Sequence, residues 1–171
     1  MENFTNETLD ISQLPKYEEV TFTKLEPTYW FVVLFYTILL FVIIAIGLLL
    51  GLNNIDEWQG QGAIIWSVFG ILFGLTLLFS RIGFQKKSFA FRNHDVLFRH
   101  GVIATTTIVI PYNRVQHVSL HEGLLSRYFK LATVQVFTAG GSSSDLEIPG
   151  IAKNQAEDIK QLLMGKIQKQ L

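Results

Sequence analysis

The chain has 171 residues, of which 49% are hydrophobic and 16% are charged, so its apolar content is at the upper edge for a soluble domain. It contains no cysteine, which excludes a disulfide framework, thiol chemistry and cysteine-ligated zinc. The net charge of zero hides an asymmetry, because residues 1–62 carry two basic and eight acidic side chains, whereas residues 81–171 carry twelve basic and six acidic ones. Balances of −6 and +6 predict that the two parts of the chain face different environments.

The first hydrophobic run extends from Tyr29 to Leu52 and predicts a transmembrane helix. At about 1.5 Å per residue it reaches roughly 36 Å, which exceeds the ~30 Å hydrocarbon core of a bilayer. Tyr29 and Trp30 stand at its start, where amphipathic aromatic side chains favour the headgroup level. A cleaved signal peptide would begin with a basic segment, whereas residues 1–28 are acidic.

The second hydrophobic run extends from Ala63 to Ser80 and predicts a second transmembrane helix. The alternative is a buried helix of a soluble domain, but no helical period gives this run a polar face. The two runs also contain G-x-x-x-G pairs, Gly47/Gly51 and Gly70/Gly74. Since such pairs let helices approach closely, they suggest that the two helices pack together as a hairpin.

The distribution of basic residues predicts the orientation of this hairpin. The connection of residues 53–62 has no Lys or Arg, whereas several basic residues follow the second run: Arg81, Lys86, Lys87, Arg92 and Arg99. Because positive flanks stay in the cytoplasm, we expect an extracytoplasmic loop at 53–62 and cytoplasmic segments at 1–28 and 81–171, in a cytoplasmic membrane. No charged side chain lies within either run, which argues against a proton relay, an ion pathway or an intramembrane catalyst.

From residue 82 onward, short alternating segments are typical of antiparallel strands. We expect strands near residues 89–91, 96–98, 102–110, 114–120, 131–139 and 145–149. Asn93–Asp95 predicts a tight turn, Gly101 a bend, and Pro111 the end of the third strand. Residues 122–130 do not alternate and predict a short helical turn, and residues 140–144 predict a flexible loop.

The end of the chain predicts an amphipathic helix, with its apolar residues on one face: Ala156, Ile159, Leu163 and Ile167. We expect Asn154 to cap this helix and Pro149-Gly150 to lie before its start. The predicted fold class is therefore α+β, with a two-helix transmembrane hairpin followed by antiparallel strands that one C-terminal helix covers.

This order of elements and several motifs together resemble a known family. The segments RNHDVLFRHGVI, IPYNRVQHVSLHEGLLSRYFKLATVQVFTAG and EIPGI…AEDIKQLL, with the acidic LPKYEEVTF, resemble the bacterial pleckstrin-homology-like domain of the YdbS-like membrane proteins. The motifs Pro111-Tyr112, Arg114-Val115-Gln116, Arg127-Tyr128-Phe129 and Thr138-Ala139-Gly140 match the family pattern. Lys130 departs from it, since a glycine is usual at that position.

The resemblance implies a pleckstrin-homology-like fold, in which two antiparallel sheets pack as a sandwich or partly open barrel with a C-terminal helix. It implies no established enzymatic activity. Because relatives often occur beside a larger membrane protein with several copies of the same domain, it also implies a membrane complex.

The candidate residues for contact with lipid or a partner are basic: Lys86, Lys87, Arg92, Arg99, Arg114, Arg127 and Lys130. Guanidinium groups bind phosphate through two parallel hydrogen bonds. Arg114 and Arg127 are isolated among apolar residues, however, so the preferred interpretation is that they donate hydrogen bonds to loop carbonyls. Lys86 and Lys87 are better candidates for contact with lipid because they closely follow the second run, although a stop-transfer charge is the alternative.

The sequence predicts no catalytic residue, metal site or cofactor. His117 and His121 are four residues apart, but in a strand this spacing separates them by roughly 13 Å. Ser119 and Ser126 lack the context of an activated nucleophile, and Gly140-Gly141-Ser142 lacks the pattern of a nucleotide-binding loop.

These observations predict a membrane-anchored binding or scaffold module, an accessory subunit rather than an enzyme. Its expected partners are membrane lipids and a related membrane protein or a second copy of the chain, not nucleic acid. The alternative hypothesis is recognition of anionic lipid headgroups by the basic part of the chain. A third hypothesis, a membrane-associated enzyme, requires a cluster of His, Asp or Glu in a pocket.

Overall fold

A computed structural model describes residues 19–58, 60–139 and 145–168. The helices are α1 (Tyr29–Asn54), α2 (Gly62–Lys86), α3 (Leu124–Tyr128) and α4 (Lys153–Gln168). The strands are β1 (Thr23–Lys24), β2 (Ser88–Phe91), β3 (Asp95–His100), β4 (Thr106–Pro111), β5 (Val115–His121), β6 (Leu131–Thr138) and β7 (Leu146–Ala152). The predicted order of two apolar helices, antiparallel strands and a final helix is confirmed.

The long helices α1 and α2 have the length and composition to cross a membrane. Their most apolar windows are 6% and 0% buried against protein, so neither is the core helix of a soluble domain. Both helices run past the predicted spans, α1 to Asn54 and α2 to Lys86. Such fully apolar, unburied surfaces are stable in lipid and not in water.

Aromatic rings, not glycines, join α1 to α2. Phe41 packs between Phe69 and Phe73, with ring centroids 5.4 Å and 4.9 Å away. A Cβ added at Gly47, Gly70 or Gly74 would meet nothing within 4 Å, and one at Gly51 would meet the ring of Trp58. The expected packing of the two helices as a hairpin is confirmed, but bulky rings and not the G-x-x-x-G pairs form the contacts between them.

The strands form two antiparallel sheets. One has the order β1-β2-β3-β4 and the other the order β5-β6-β7. The core between the sheets contains side chains that are almost fully buried, among them Val96, Val134, Val136 and Ile148. Helix α4 covers this core with Ala156, Ile159 and Leu163, while Ile167 packs at the margin, so the predicted apolar face is confirmed.

Three details of the strands and the final helix differ from the predictions. Asn154 lies inside α4 rather than at its cap, because β7 leads directly into the helix at Lys153, whose backbone N–H donates to Lys130 O. Pro149-Gly150 lies inside β7, where these two residues oppose Thr133 in a β-bulge. The third strand begins at Thr106 and not at Val102, because residues 101–105 form the bend after Gly101.

The segment before α1 belongs to the domain that follows α2. Thr23 and Lys24 pair with Phe89 and Ser88, and Leu25 is buried in the core. The chain therefore enters the hairpin from the domain and returns to it. This contribution of β1 was not predicted from the sequence, because a two-residue strand leaves no alternation to detect.

Candidate membrane-proximal site

The end of the domain nearest the spans packs tightly against the first residues of α1. Glu26 N–H donates to Gly150 O at 2.9 Å, which fixes the chain just before the helix. A Cβ on Gly150 would lie 2.4 Å from Cγ of Tyr29, so a side chain larger than that of glycine would clash with this ring. Gly150 also has a φ of +64°, a conformation that glycine adopts without strain.

The spans contact two further parts of the domain. Gly83 of α2 lies against Val102, because a Cβ on this glycine would be 3.1 Å from Val102 Cγ2. The ring of Phe31 in α1 stacks on Phe129, which directly follows α3, with centroids 6.3 Å apart. The bend of residues 101–105 and α3 therefore both lie at the level where the spans begin.

Three of the predicted basic residues lie at this same level. Lys86 Nζ donates to Val102 O at 2.6 Å, which brings its charge to the 101–105 bend. Arg127 is exposed, with its Nε 4.0 Å from Glu122 Oε2, and Lys130 is exposed directly after α3. A further basic residue, Arg81, lies over the ring of Trp30 at 5.0 Å.

A cleft of about 450 Å³ opens beside Tyr29, with Lys87 in its wall. Lys87 is half-buried, and within the described residues no carboxylate pairs with its ammonium group. Burial lowers the pKa of Lys87, because the charged form is poorly solvated there. The carboxylates of Asp145 and Glu147 line the same cleft.

Polar side chains line the opposite wall of the cleft. Gln135 Nε2 donates to Glu147 Oε1 at 2.8 Å, and Ser119 Oγ donates to Gln135 Oε1 at 2.9 Å. Asp145 accepts bonds from the hydroxyl and the backbone N–H of Thr138, and these bonds lower the pKa of Asp145. His100 and His121 also line the cleft. This wall is therefore a fixed network of hydrogen-bonding groups.

Of the remaining predicted contact residues, Arg92 and Arg114 lie at the end of the domain far from the spans, whereas Arg99 pairs across the sheet with Ser88, next to Lys87. Arg92 forms a two-bond ion pair with Asp95 across the β2–β3 turn, and this bond raises the pKa of Arg92. Arg99 lies over the ring of Phe22 at 4.0 Å. Arg114 is exposed at the end of the domain far from the spans, and no described residue accepts a hydrogen bond from its side chain. The seven basic residues therefore do not form one site.

Several residues of this region were missed in the sequence. Ile103, Leu124 and Tyr128 are exposed by 92%, 86% and 80%, and nothing in their spacing marks them. Gly83 and Gly150 are contact positions that depend on the tertiary fold. An isolated apolar residue in a loop carries no periodic signal, so only the structure shows where it points.

The described residues contain no group of three His, Asp or Glu side chains placed to hold a metal ion. His117 stacks on Phe137 with centroids 4.1 Å apart, on the outer face of the β5-β6-β7 sheet. Because β5 is a strand, as expected, His117 and His121 are far apart along it.

Comparison with known proteins identifies a family and two relatives. The family described as "Bacterial PH domain" matches residues 31–167. The UPF0699 transmembrane protein YdbS of Bacillus subtilis (strain 168) is 24% identical over 122 residues, which are 71% of this chain and 74% of that protein. The UPF0699 transmembrane protein YdbT of the same organism is 26% identical over 98 residues, which are 57% of this chain and 20% of that protein. No solved structure matches the chain significantly.

Proposed function

Because the chain belongs to the bacterial PH domain family, we propose that it is a membrane-anchored binding module that serves as an accessory subunit of a membrane protein complex. It acts by holding a partner and not by catalysis. The partner is a related membrane protein that supplies a β-strand. The match to one fifth of a longer transmembrane relative supports this choice, since the same module then occurs within a larger protein.

The observation that carries this proposal is the open edge of β4. No described strand pairs with β4 on the side away from β3. Its six residues, TTIVIP, carry no charge, pair in regular register with β3, and include Val109, which is 44% exposed. A regular, uncharged and β-branched edge is a template for an added strand.

The other sheet edges are less suited to pairing. β1 has only two residues. β5 is interrupted by a bulge at Gln116, and β7 by its bulge at Pro149-Gly150. Bulges and prolines are the devices that protect an edge from added strands. β4 has no bulge in its pairing with β3, and its one proline is its last residue, Pro111.

Photocrosslinking in native membranes tests the proposal. A photoreactive amino acid at Val109 of the full chain should crosslink to a membrane protein, identified by mass spectrometry as a relative of the same family. Val109→Lys should abolish co-purification of that protein, because an edge lysine disfavours strand addition. The matched control is Gln116→Lys, an exposed residue of β5. Retained co-purification with Val109→Lys would contradict the proposal.

A second candidate function, recognition of an anionic lipid headgroup, is supported by Lys87. Its half-buried ammonium group lacks a described partner and lines the cleft beside the start of α1. Lipid phosphates lie at the level of the helix ends. A phosphate that enters the cleft would pair with this charge and return its pKa toward the ordinary value.

Native mass spectrometry of the full chain with phosphatidylglycerol and phosphatidylcholine tests this function. The protein should retain phosphatidylglycerol preferentially, and Lys87→Gln should lose that preference. Lys160→Gln, which removes an exposed charge from α4, is the control and should leave it intact. Equal retention of both lipids by the unmodified protein would exclude a headgroup site at Lys87.

A further inference from the structure

We propose that the 101–105 bend and α3 insert apolar side chains into the membrane interface, so that the domain lies on the bilayer at two points beside the hairpin. The inserted residues are Ile103 from the bend and Leu124 and Tyr128 from α3. The occupant of this surface is lipid, at the boundary between headgroups and acyl chains.

The exposure of these side chains sets them apart. Ile103, Leu124 and Tyr128 are 92%, 86% and 80% exposed, whereas the other exposed large apolar side chains of the described domain, Val109, Leu162 and Met164, are 44%, 45% and 39% exposed. Leu124 and Tyr128 are four residues apart on α3, so they share one helix face and form an exposed apolar pair beside the membrane anchor. Contiguous exposed apolar surface of this kind marks contact with a membrane or a partner.

The contacts of neighbouring residues fix the depth of these side chains. Val102, next to Ile103, touches Gly83, which lies three residues inside the end of α2. Phe129, next to Tyr128, stacks on Phe31, two residues inside the start of α1. At 1.5 Å per residue, both contacts lie about 3 to 5 Å within the ends of helices α1 and α2, and Gly83 lies three residues beyond the predicted end of the second span. Ile103 and Tyr128 are thereby held at interfacial depth.

Basic side chains lie beside both apolar segments, the 101–105 bend and α3, as expected for contact with a lipid surface. Lys86 bonds to Val102 O beside Ile103, while exposed Arg127 and Lys130 flank Tyr128. Apolar side chains with adjacent Lys and Arg are the pattern of segments that lie in an interface, because the apolar groups enter the acyl boundary and the cations meet phosphates. A tyrosine ring also favours this depth. A protein partner would not require this ring of positive charge.

The absence of cysteine permits a direct test with the full chain. Single variants Ile103→Cys, Leu124→Cys and Tyr128→Cys are labelled with an environment-sensitive fluorophore and reconstituted in phosphatidylcholine–phosphatidylglycerol vesicles. The control is Leu162→Cys on α4, whose Lys166 bonds to Asn93 O at the opposite end of the domain. Vesicles with a nitroxide quencher near the headgroups measure contact with lipid.

We expect blue-shifted emission and at least twofold stronger lipid quenching at positions 103, 124 and 128 than at position 162. Water-like emission and quenching at all three positions equal to that at 162 would overturn the proposal. Because these vesicles contain no partner protein, the result is independent of the β4 edge. Val109→Lys should leave the quenching unchanged, so failure of one proposal is distinguishable from failure of the other.

Discussion

Lys130 adopts a backbone conformation that favours glycine. Its φ of +55° is the only positive φ at a non-glycine among the described residues. The left-handed region costs an L-residue about 1 kcal/mol or more, and glycine recovers most of this despite its greater freedom in the unfolded chain. The expectation that a glycine suits this position therefore has a physical basis in the turn between α3 and β6.

Lys130→Gly should raise the free energy of unfolding by about 0.5 kcal/mol, whereas Lys130→Ala should not raise it, because alanine keeps the strained φ. Thermal unfolding of the detergent-solubilised full chain measures both variants against the unmodified protein. If the alanine variant were the more stable of the two, backbone strain at this position would not be limiting.

Tyr112 couples stability to alkaline pH. It is buried, and its hydroxyl donates to Arg92 O at 2.6 Å. Burial chiefly, and the nearby charge of Asp95, raise the pKa of Tyr112 to about 12 from an ordinary value of 10. The folded protein thus favours the neutral phenol, so this stabilisation is complete below pH 10 and is lost as the pH rises toward about 12.

Tyr112→Phe should lower the free energy of unfolding at pH 8 by about 1 kcal/mol, since Arg92 O loses its donor. Between pH 9 and pH 11 the difference between the two proteins should shrink, because only the unmodified protein carries this titrating group. Denaturant unfolding at both pH values measures the difference. A gap that is constant across this range would show that Tyr112 is not the group that titrates.

At the scale of elements, the contact between Gly150 in β7 and Tyr29 in α1 joins the domain to the membrane. Gly150→Ala should destabilise the protein by about 2 kcal/mol, because the new methyl group meets the Tyr29 ring and the φ of +64° is strained for alanine. Gly165→Ala is the matched control. A Cβ there meets nothing within 4 Å, so the substitution should stabilise α4 by about 0.5 to 1 kcal/mol. Thermal unfolding measures both, and equal effects would contradict the role of this contact.

The elements with long periodic patterns were predicted well from the sequence. The two apolar helices, the strands with alternating side chains and the apolar face of α4 follow from spacing alone. Boundaries were missed where tertiary contacts override local signals. Asn154 is a good cap by residue type, but the backbone bond from Lys153 to Lys130 begins the helix earlier. Gly150 serves a bulge and the Tyr29 ring instead of a helix boundary.

The candidate site was predicted less well, because charge alone does not tell where a side chain lies. Lys86, Arg127 and Lys130 lie at the membrane end of the domain, whereas Arg92 is neutralised by Asp95. The exposed apolar residues beside these cations, Ile103, Leu124 and Tyr128, belong to no periodic pattern in the sequence. The ion pairs of these side chains, their distance from the membrane and their exposure depend on how the fold brings distant segments together.

At the scale of the whole molecule, we predict that both ends of the chain are cytoplasmic. Asn53→Cys, in the last turn of α1 and within the predicted extracytoplasmic loop, should react with a membrane-impermeant maleimide in intact cells. Lys160→Cys on α4 should react only after lysis, since the basic residues after α2 keep the domain inside. The native chain has no cysteine to interfere. Labelling of position 160 in intact cells would reverse the predicted orientation.

The pairing of β1 with β2 has a consequence for how a cell makes this protein. The ribosome synthesises Thr23 and Lys24 well before their partners Phe89 and Ser88, and both long helices lie between them. The β1-β2-β3-β4 sheet can therefore be completed only after both helices have inserted. Completion of this sheet thus requires that the end of α2 lie on the same side of the membrane as the start of α1, because β1 precedes α1 and β2 follows α2.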